Sequence, residues 1–600
     1  MRNVNARTHA PVLNLGFPTD GQNSSHWVGR FAGTMRTRGF DVSTIGMLGL
    51  LAGFFGLFLL YPIAFMLRQA FSSDGNLTLV HFGFLFANPL QREALRNSFL
   101  IAIITTLVTT CMAMPLAHAL THYKFRGQVL LSTLLLAPMI LPPFVGAVGV
   151  RQLLARFGSI NLLLMDWGVL SPDKPIDWLG AGGFWGVVAL QVIGLYPIML
   201  LNLMAAMGSV DPSLREAAQN LGAGKWRVFR TVTLPLIMPG WFAGATVVFI
   251  WAFTDLGTPL VFGYSRVVAV QIFDAISELN TNPIGYALVI VVLALTIALF
   301  VLSKHALRNY RQNATVGVRG AAIESGATGW QTCLFWLGSG LVLVIALLPH
   351  LSVIIQSFSG KWFLSVLPTE WNIDGYREVF GRGLVGASVR NSLLFASLSA
   401  VLDVVIGVSI AWLLTRRRVP FAGVLDALAM LPLALPGLVL AFGYLAGFDV
   451  EIGWLNPREN PTVLLVISYS VRRLPYIVRS AIAGFEQTSV TFEEASANLG
   501  ASTLPTLWRI TLPMISAHLV AGGILVFAFA MLEVSDSLIL AMREPYFPIT
   551  KMIYQLMGRI EPNAPTVACA FGVIGMVVVA ASLVLAGRIM GRRLGAVFRV

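Results

Sequence analysis

Five ionisable residues set in apolar surroundings are this chain's best candidates for chemistry. Asp255 and Glu533 stand 533 − 255 = 278 positions apart, each inside a long apolar stretch. Asp536 follows Glu533 by three residues, which on a helix keeps both on one side. Arg472 and Arg473 interrupt another apolar stretch. An ionised side chain near the bilayer centre costs roughly 2.5–3.5 kcal/mol on insertion scales, so it faces protein or a cavity. Lining a pathway is one reading: carboxylates suit a hard cation, and paired guanidinium groups suit an anion, phosphate above all. Internal pairing is the other, for instance Asp403 with Arg472 or Arg473. The mixed signs leave the solute open.

Other chemistries find little support. His118 and His122 are four apart and share a helical face, but no third ligand or neighbouring Glu accompanies them, so an end-of-helix surface is expected. Cys111, Cys333 and Cys569 are far apart and read as small packing residues, with no disulfide framework or metal site. There is no H-E-x-x-H cluster, so neither a catalytic residue nor a metal ligand is assigned and a membrane enzyme is disfavoured. Gly222-Ala223-Gly224-Lys225 comes nearest to a phosphate-binding loop but lacks its leading Gly and its Ser/Thr. No cofactor is expected on this chain.

These residues must be positioned by helices in lipid. Of 600 residues 56% are hydrophobic and 12% charged, with mean hydropathy +0.76. A soluble domain carries about a quarter charged residues. Non-alternating apolar runs of about 20 residues read as membrane helices, since every backbone group in lipid needs an internal partner. Twelve spans are expected, near 44–67, 97–120, 129–150, 184–207, 238–262, 284–303, 332–357, 391–414, 424–447, 461–483, 516–541 and 567–587. The polar stretch 1–43 reads as a disordered tail with no cleavable signal. Placing the N-terminus inside puts 23 Lys/Arg in the inner segments against 15 in the outer loops. Arg416-Arg417-Arg418 and Arg588, Arg592 and Arg593 are the clearest anchors, and the C-terminus is inside too. The net charge of +13 has no basic tract interleaved with aromatics, so membrane lipid and not nucleic acid is the expected neighbour.

The chain repeats itself. Asn97-Ser98 matches Asn391-Ser392, Pro138 matches Pro432 and Pro142 matches Pro436, all at offset 294. After the third span the offset falls to 278, which leaves 16 extra residues in the outer loop 151–183. Six spans per copy is an even number, so the copies run parallel, about an axis along the membrane normal. The expected domains are 44–303 and 332–600, joined by an inner linker, 304–331. Each copy carries a polar island on the inner side. Glu216-Ala217-Ala218, Gly222 and Leu234-Pro235 recur as Glu494-Ala495-Ser496, Gly500 and Leu512-Pro513, at offset 278 throughout. Asp211 or Ser489 caps a short helix, and Gly supplies a left-handed stop. A second short helix then presents Trp226, Phe229 and Val232, or Leu504, Leu507 and Ile510, on one apolar face. Leu-Pro ends it before the next span. The result is a hook under the membrane.

This island resembles the EAA loop of ABC importer permeases, with Ser496 in place of the second Ala and Val232 in place of an Ile. The resemblance covers the chain after residue 43 and implies two permeases fused into one all-α membrane protein. Leu134–Val150, Thr254–Gly263 and Val471–Ser480 resemble fused permeases of the ferric-iron type, whose relatives also carry thiamine, aminoethylphosphonate and sugar phosphates. It further implies that the hooks dock on two cytoplasmic ABC ATPase subunits, which hold ATP and Mg, and that an extracytoplasmic binding protein delivers the solute. A twelve-helix secondary transporter, also built from parallel repeats, is the alternative. It would need neither hook nor ATPase.

Overall fold

The computed structural model describes residues 42–590 except 74, 141–142, 181–182, 279–281, 314–324, 382, 418 and 450–452. Most of the expected tail, Pro142, Arg418, Arg592, Arg593 and the middle of the linker with Arg319 lie outside the described residues. Among these residues nine helices are long and apolar enough to cross a membrane, and Ala422–Leu433 with Gly437–Gly447, bent by 102°, forms a tenth candidate. The two other expected spans are helical as well. Thr462–Gln487 carries Arg472, Arg473 and Arg479. The third span is broken into Gln128–Leu136, the single turn Ala137–Ile140 and Pro143–Leu154. Prolines account for the breaks, since each removes a donor and crowds the carbonyl four residues back.

Two expected boundaries change. The helices expected over 238–262 and 516–541 stop at Phe253 and Met531, and the short helices Gly257–Phe262 and Ser535–Leu540 follow. Nor does Leu-Pro end the second helix of either hook. Lys225–Val228 runs through a π turn, Phe229–Thr233, directly into Leu234–Phe253, and Thr503–Thr506 runs through Leu507–Thr511 into Leu512–Met531. A proline tolerates the first turn of a helix but not its interior. Widening the ladder by one residue, so that the Leu234 and Leu512 N–H groups reach back to the Phe229 and Leu507 carbonyls, lets the chain pass Pro235 and Pro513 without a break. Gly56–Leu60 does the same ahead of Pro62.

The copies are interlocked. Tyr61 Oη donates to the Gly447 carbonyl at 2.9 Å and Tyr444 Oη to the Phe58 carbonyl at 2.6 Å, so the first span lies on the bent ninth. A Cβ at Gly443 would come 2.8 Å from Met66, and one at Gly149, its match at offset 294, would come 2.5 Å from the Pro349 carbonyl oxygen. Each copy thus sends its first span across the third span of the other, and glycine is required where they cross. Two loops join as well: Tyr123-Lys124 pairs in parallel with Ser325-Gly326, ahead of the seventh span. At the centre the Trp251 and Phe529 rings meet edge to face at 6.2 Å. They are matched at offset 278, and matched residues touch only beside a twofold axis.

The repeated Asn-Ser pairs order the side of the bundle opposite the hooks. Ser98 Oγ accepts from Val268 N–H at 2.9 Å and Ser392 Oγ from Ile549 N–H at 2.8 Å, at the starts of the short helices Val268–Asp274 and Ile549–Met557. Asn97 and Asn391 donate to the Arg266 and Phe547 carbonyls beside them. The longer loop 151–183 of the first copy folds on Asn161, which donates to the Ile176 carbonyl at 2.7 Å and accepts from Trp178 Nε1 at 2.8 Å.

Candidate functional site

The hooks share one backbone. In the first, Asp211 Oδ1 accepts from Ser213 N–H at 2.9 Å and starts the helix Pro212–Asn220. That bond holds the Asp211 carboxyl below the usual carboxylate range. In the second, Ser489 Oγ accepts from Thr491 N–H at 3.3 Å ahead of Thr491–Asn498. Gly222 and Gly500 have φ of +82° and +83°, the left-handed stop expected of them, and the N–H after each closes on Ala218 or Ser496 at 3.1 Å. Leu221 and Leu499, just before the turn, are 89% and 90% exposed. Glu216, Ala217, Glu494 and Ala495 are exposed beside them. Each hook therefore offers a polar helix ending in a bare leucine, carried by a helix continuous with a span.

The apolar face differs from expectation. Trp226 is 73% exposed and stacks on Phe229 at 5.7 Å, while Val228 and Thr233 turn inward. In the second hook Leu507 is buried as expected and Leu504 is exposed; Thr506 and Thr511 are buried. The π turn shifts the register, so spacing by three does not carry one face through it. Ser496 has a partner that sequence reading missed: its Oγ lies 2.8 Å from Thr506 Oγ1. The matching positions in the first hook are Ala218 and Val228, at offset 278. A hydroxyl pair thus replaces an apolar pair, a signal present in the sequence as two coordinated changes.

The hooks are held differently. Arg416, at the end of its span, donates through Nε to Glu493 Oε1 at 3.0 Å and through Nη2 to the Phe485 and Thr488 carbonyls at 2.8 and 2.9 Å. Glu493 Oε1 also accepts from Thr511 Oγ1 at 3.2 Å. At offsets 294 and 278 the first copy has His122 and Arg215 there. The His118 and His122 rings stack at 4.4 Å, and His122 is buried, not on a surface as expected. Arg215 Nε is buried without a hydrogen-bond partner, and burial lowers the Arg215 pKa.

The five intramembrane candidates divide as unequally. Glu533 and Asp255 do not sit on long helices but in the breaks after them. Asp255 Oδ1 accepts from Gly257 N–H at 3.2 Å and Glu533 Oε1 from Asp536 N–H at 3.3 Å, so each carboxylate caps a short helix. Asp536 therefore lies beyond a break and not one turn along the same helix. In the second copy Glu533 bridges Arg472 and Arg473, and Arg472 reaches Asp536 at 3.5 Å. Arg473 also donates to the Phe529 carbonyl at 2.7 Å, and Ser468 Oγ donates to Asp536 at 2.9 Å. The Arg472 guanidinium fills the space a Cβ would need at Gly437, where the bent ninth span restarts. The expected pairing of Asp403 with these arginines does not occur: Asp403 is bonded to Ser470 Oγ, and its other oxygen has no partner. Around Asp255 the donors are neutral: Gln191 Nε2 donates at 3.2 Å, beside the Gly257 N–H, and among the described residues no ion pair engages it. The described residues hold no group of three or more His, Cys, Asp or Glu that could bind a metal. Cys111 and Cys333 are exposed, so only Cys569 is the buried packing residue expected.

Residues 80–312 and 403–596 both match the family of binding-protein-dependent transport system inner membrane components. The chain is 28% identical to the ferric transport system permease protein FbpB of Actinobacillus pleuropneumoniae, over 83% of this chain and 71% of that one. It is 29% identical to the putative ferric transport system permease protein FbpB 1 of Haemophilus influenzae, over 76% and 72%. The molybdenum transport system permease protein ModB of Escherichia coli is 29% identical over 37% of this chain but 96% of its own length.

Proposed function

Because this chain belongs to the family of binding-protein-dependent transport system inner membrane components, matched twice along its length, we propose that it is the complete membrane pathway of an ATP-driven importer for ferric iron. Both permeases are in one polypeptide, and the membrane-spanning subunit itself hydrolyses nothing. The twice-built hook carries this reading. Two identical left-handed turns, each presenting an exposed leucine and rigidly continuous with a span, fit two copies of a partner that moves. Those partners are two ABC ATPase subunits on the inner side, which bind ATP and Mg; this chain needs no cofactor of its own. Both termini and both hooks then lie inside, with the permease domains at 44–303 and 332–600 and the linker 304–331 between them. A binding protein delivers solute to the outer helices that the Asn-Ser pairs cap. ATP closes the ATPase pair, the hooks approach, and the copies rock about the Trp251–Phe529 contact. This arrangement leaves no role for the ion gradient of a secondary transporter.

Ferric iron is supported by the names of the relatives similar along most of the chain. The ionic cluster refines how it would pass. Glu533 and Asp536 are engaged by arginines, so among the matched pathway acids Asp255 keeps a carboxylate free of a cationic partner. Reconstitution with the ATPase and binding protein tests the reading. Ferric-loaded binding protein is expected to stimulate ATP hydrolysis and uptake, whereas proteins loaded with a phosphonate, a sugar phosphate or thiamine are not. Stimulation by one of those three instead would replace the solute, and uptake by this chain alone would overturn the importer.

A further inference from the structure

We infer that the two hooks transmit unequally: the second is clamped to the spans it drives, with Arg416 as the positioning residue, and the first is not. This rests on the hooks being the ATPase docking sites. One guanidinium gathers four pieces of chain. Arg416 ends the eighth span; Phe485 and Thr488 end the tenth; Glu493 belongs to the hook helix; and Thr511, through Glu493, belongs to the π turn that opens the eleventh. Its side chain is 8% exposed and lies 5.4 Å from the Phe485 ring centre. Charge-assisted bonds in such a site are shorter and about twice as strong as neutral ones, and removing either partner leaves the other buried charge unpaired. A displacement of the second hook is therefore passed to all three spans together.

The matched positions of the first copy cannot do this. Glu493 is replaced by Arg215 and Arg416 by His122, so neither the guanidinium nor the carboxylate of the clamp stands at its matched position. Among the described residues no ion pair joins hook residues 211–233 to the second span; contact runs through rings, with His118 edge-on to Phe229 at 6.2 Å. Packing of this kind yields by small pivots where a multiply bonded node does not. The second copy is also the one in which the tenth and eleventh spans are tied at mid-membrane, by Arg473 to Glu533 and to the Phe529 carbonyl. The inner clamp and the deeper cluster act on the same pair of helices, so the second copy moves as one piece from hook to pathway.

The test uses the full transporter in proteoliposomes, with ATPase subunits and loaded binding protein. Solute moved per ATP hydrolysed is measured for Arg416→Gln, Arg416→Lys, Glu493→Gln, His122→Ala and Arg215→Gln, with co-purification of the ATPase alongside. A coupling free energy of 1–3 kcal/mol corresponds to roughly 5–150-fold. Arg416→Gln and Glu493→Gln are expected to lower solute per ATP about tenfold with ATPase still bound and hydrolysing, and Arg416→Lys to recover only part of that loss, since Lys keeps the charge opposite Glu493 but not the fork that reaches the Phe485 and Thr488 carbonyls. His122→Ala and Arg215→Gln should change the ratio by less than about twofold. Equal losses in both copies, or a loss that tracks ATPase release or aggregation, would overturn the inference. Gly222→Pro and Gly500→Pro, made in parallel, separate the two ideas: if neither uncouples, the hooks are not the docking sites; if both do and Arg416→Gln does not, only the clamp fails.

Discussion

The two copies agree in the backbone of the hooks and of the breaks after Phe253 and Met531, and diverge where charge is buried. Gly222 and Gly500 share a left-handed φ, and Pro235 and Pro513 each follow a π turn. Asp255 and Glu533 each cap a short helix after a break. Yet Gly194-Leu195 faces Arg472-Arg473 across the repeat, and Arg215 faces Glu493. Backbone geometry is a requirement of the fold, so both copies keep it in these places. A buried ion pair is a local solution that must be complete or absent, because half of one is destabilising. The second copy holds both partners of two such solutions; the first has neither pair and keeps its matched acid, Asp255, on the neutral donors Gln191 and Gly257 N–H.

Glu533 offers the hardest test of that contrast. Replacing Glu533 with Gln removes the carboxylate paired with Arg473 and leaves Arg472 with Asp536 at 3.5 Å among the described residues. Breaking a buried pair in this way costs about 3–5 kcal/mol. The detergent-solubilised protein should unfold at clearly lower temperature and yield less in the membrane. Asp255→Asn keeps an acceptor for Gln191 and for Gly257 N–H, so it should cost less than about 1 kcal/mol and act on uptake instead. Comparable losses of thermal stability for the two variants would mean that the matched acids are alike after all.

The backbone half of the comparison is tested at the turns. Proline locks φ near −65° and cannot occupy a left-handed position, so Gly222→Pro and Gly500→Pro force the hook helix to end differently, at about 3 kcal/mol of local strain. Both variants should keep the membrane domain folded, judged by monodispersity, while uncoupling ATP hydrolysis from uptake. Unaltered uptake and solute-stimulated hydrolysis would detach the hooks from the ATPase.

Features that depend on neighbours in sequence are legible in the sequence itself: the repeat and its offsets, the left-handed glycines, the caps, and the apolar runs. The breaks after Phe253 and Met531 were hidden because Gly257–Phe262 and Ser535–Leu540 are themselves apolar enough to extend a run. The signal was an acidic residue followed by a helix former or Gly at the same offset in both copies, which reads as a cap once a break is allowed. Ion-pair choice was not legible. Asp403, Glu533 and Asp536 are all compatible in sequence with the arginines, and only the facing of the tenth helix decides among them. The exchange of first spans was likewise invisible, because an apolar helix carries no address beyond small residues such as Gly149 and Gly443 where another backbone must pass.

The smallest effect is expected where the hooks differ by two hydroxyls. Ser496 is buried and its Oγ meets Thr506 Oγ1, while Thr506 also donates to the Ser502 carbonyl at 3.0 Å. Thr506→Val removes the partner of a buried hydroxyl and should cost about 1–2 kcal/mol. Ser496→Ala leaves Thr506 with its carbonyl and should cost about 0.5 kcal/mol. The double variant reproduces the Ala218–Val228 pair of the first hook, and because no hydroxyl is then stranded it should be more stable than Thr506→Val alone. Thermal unfolding of the three variants gives the interaction energy as a double-mutant cycle. A double variant that loses the sum of the single losses would show that the hydroxyls act separately. The second hook would then not be a polar version of the first but a differently packed turn on the same backbone.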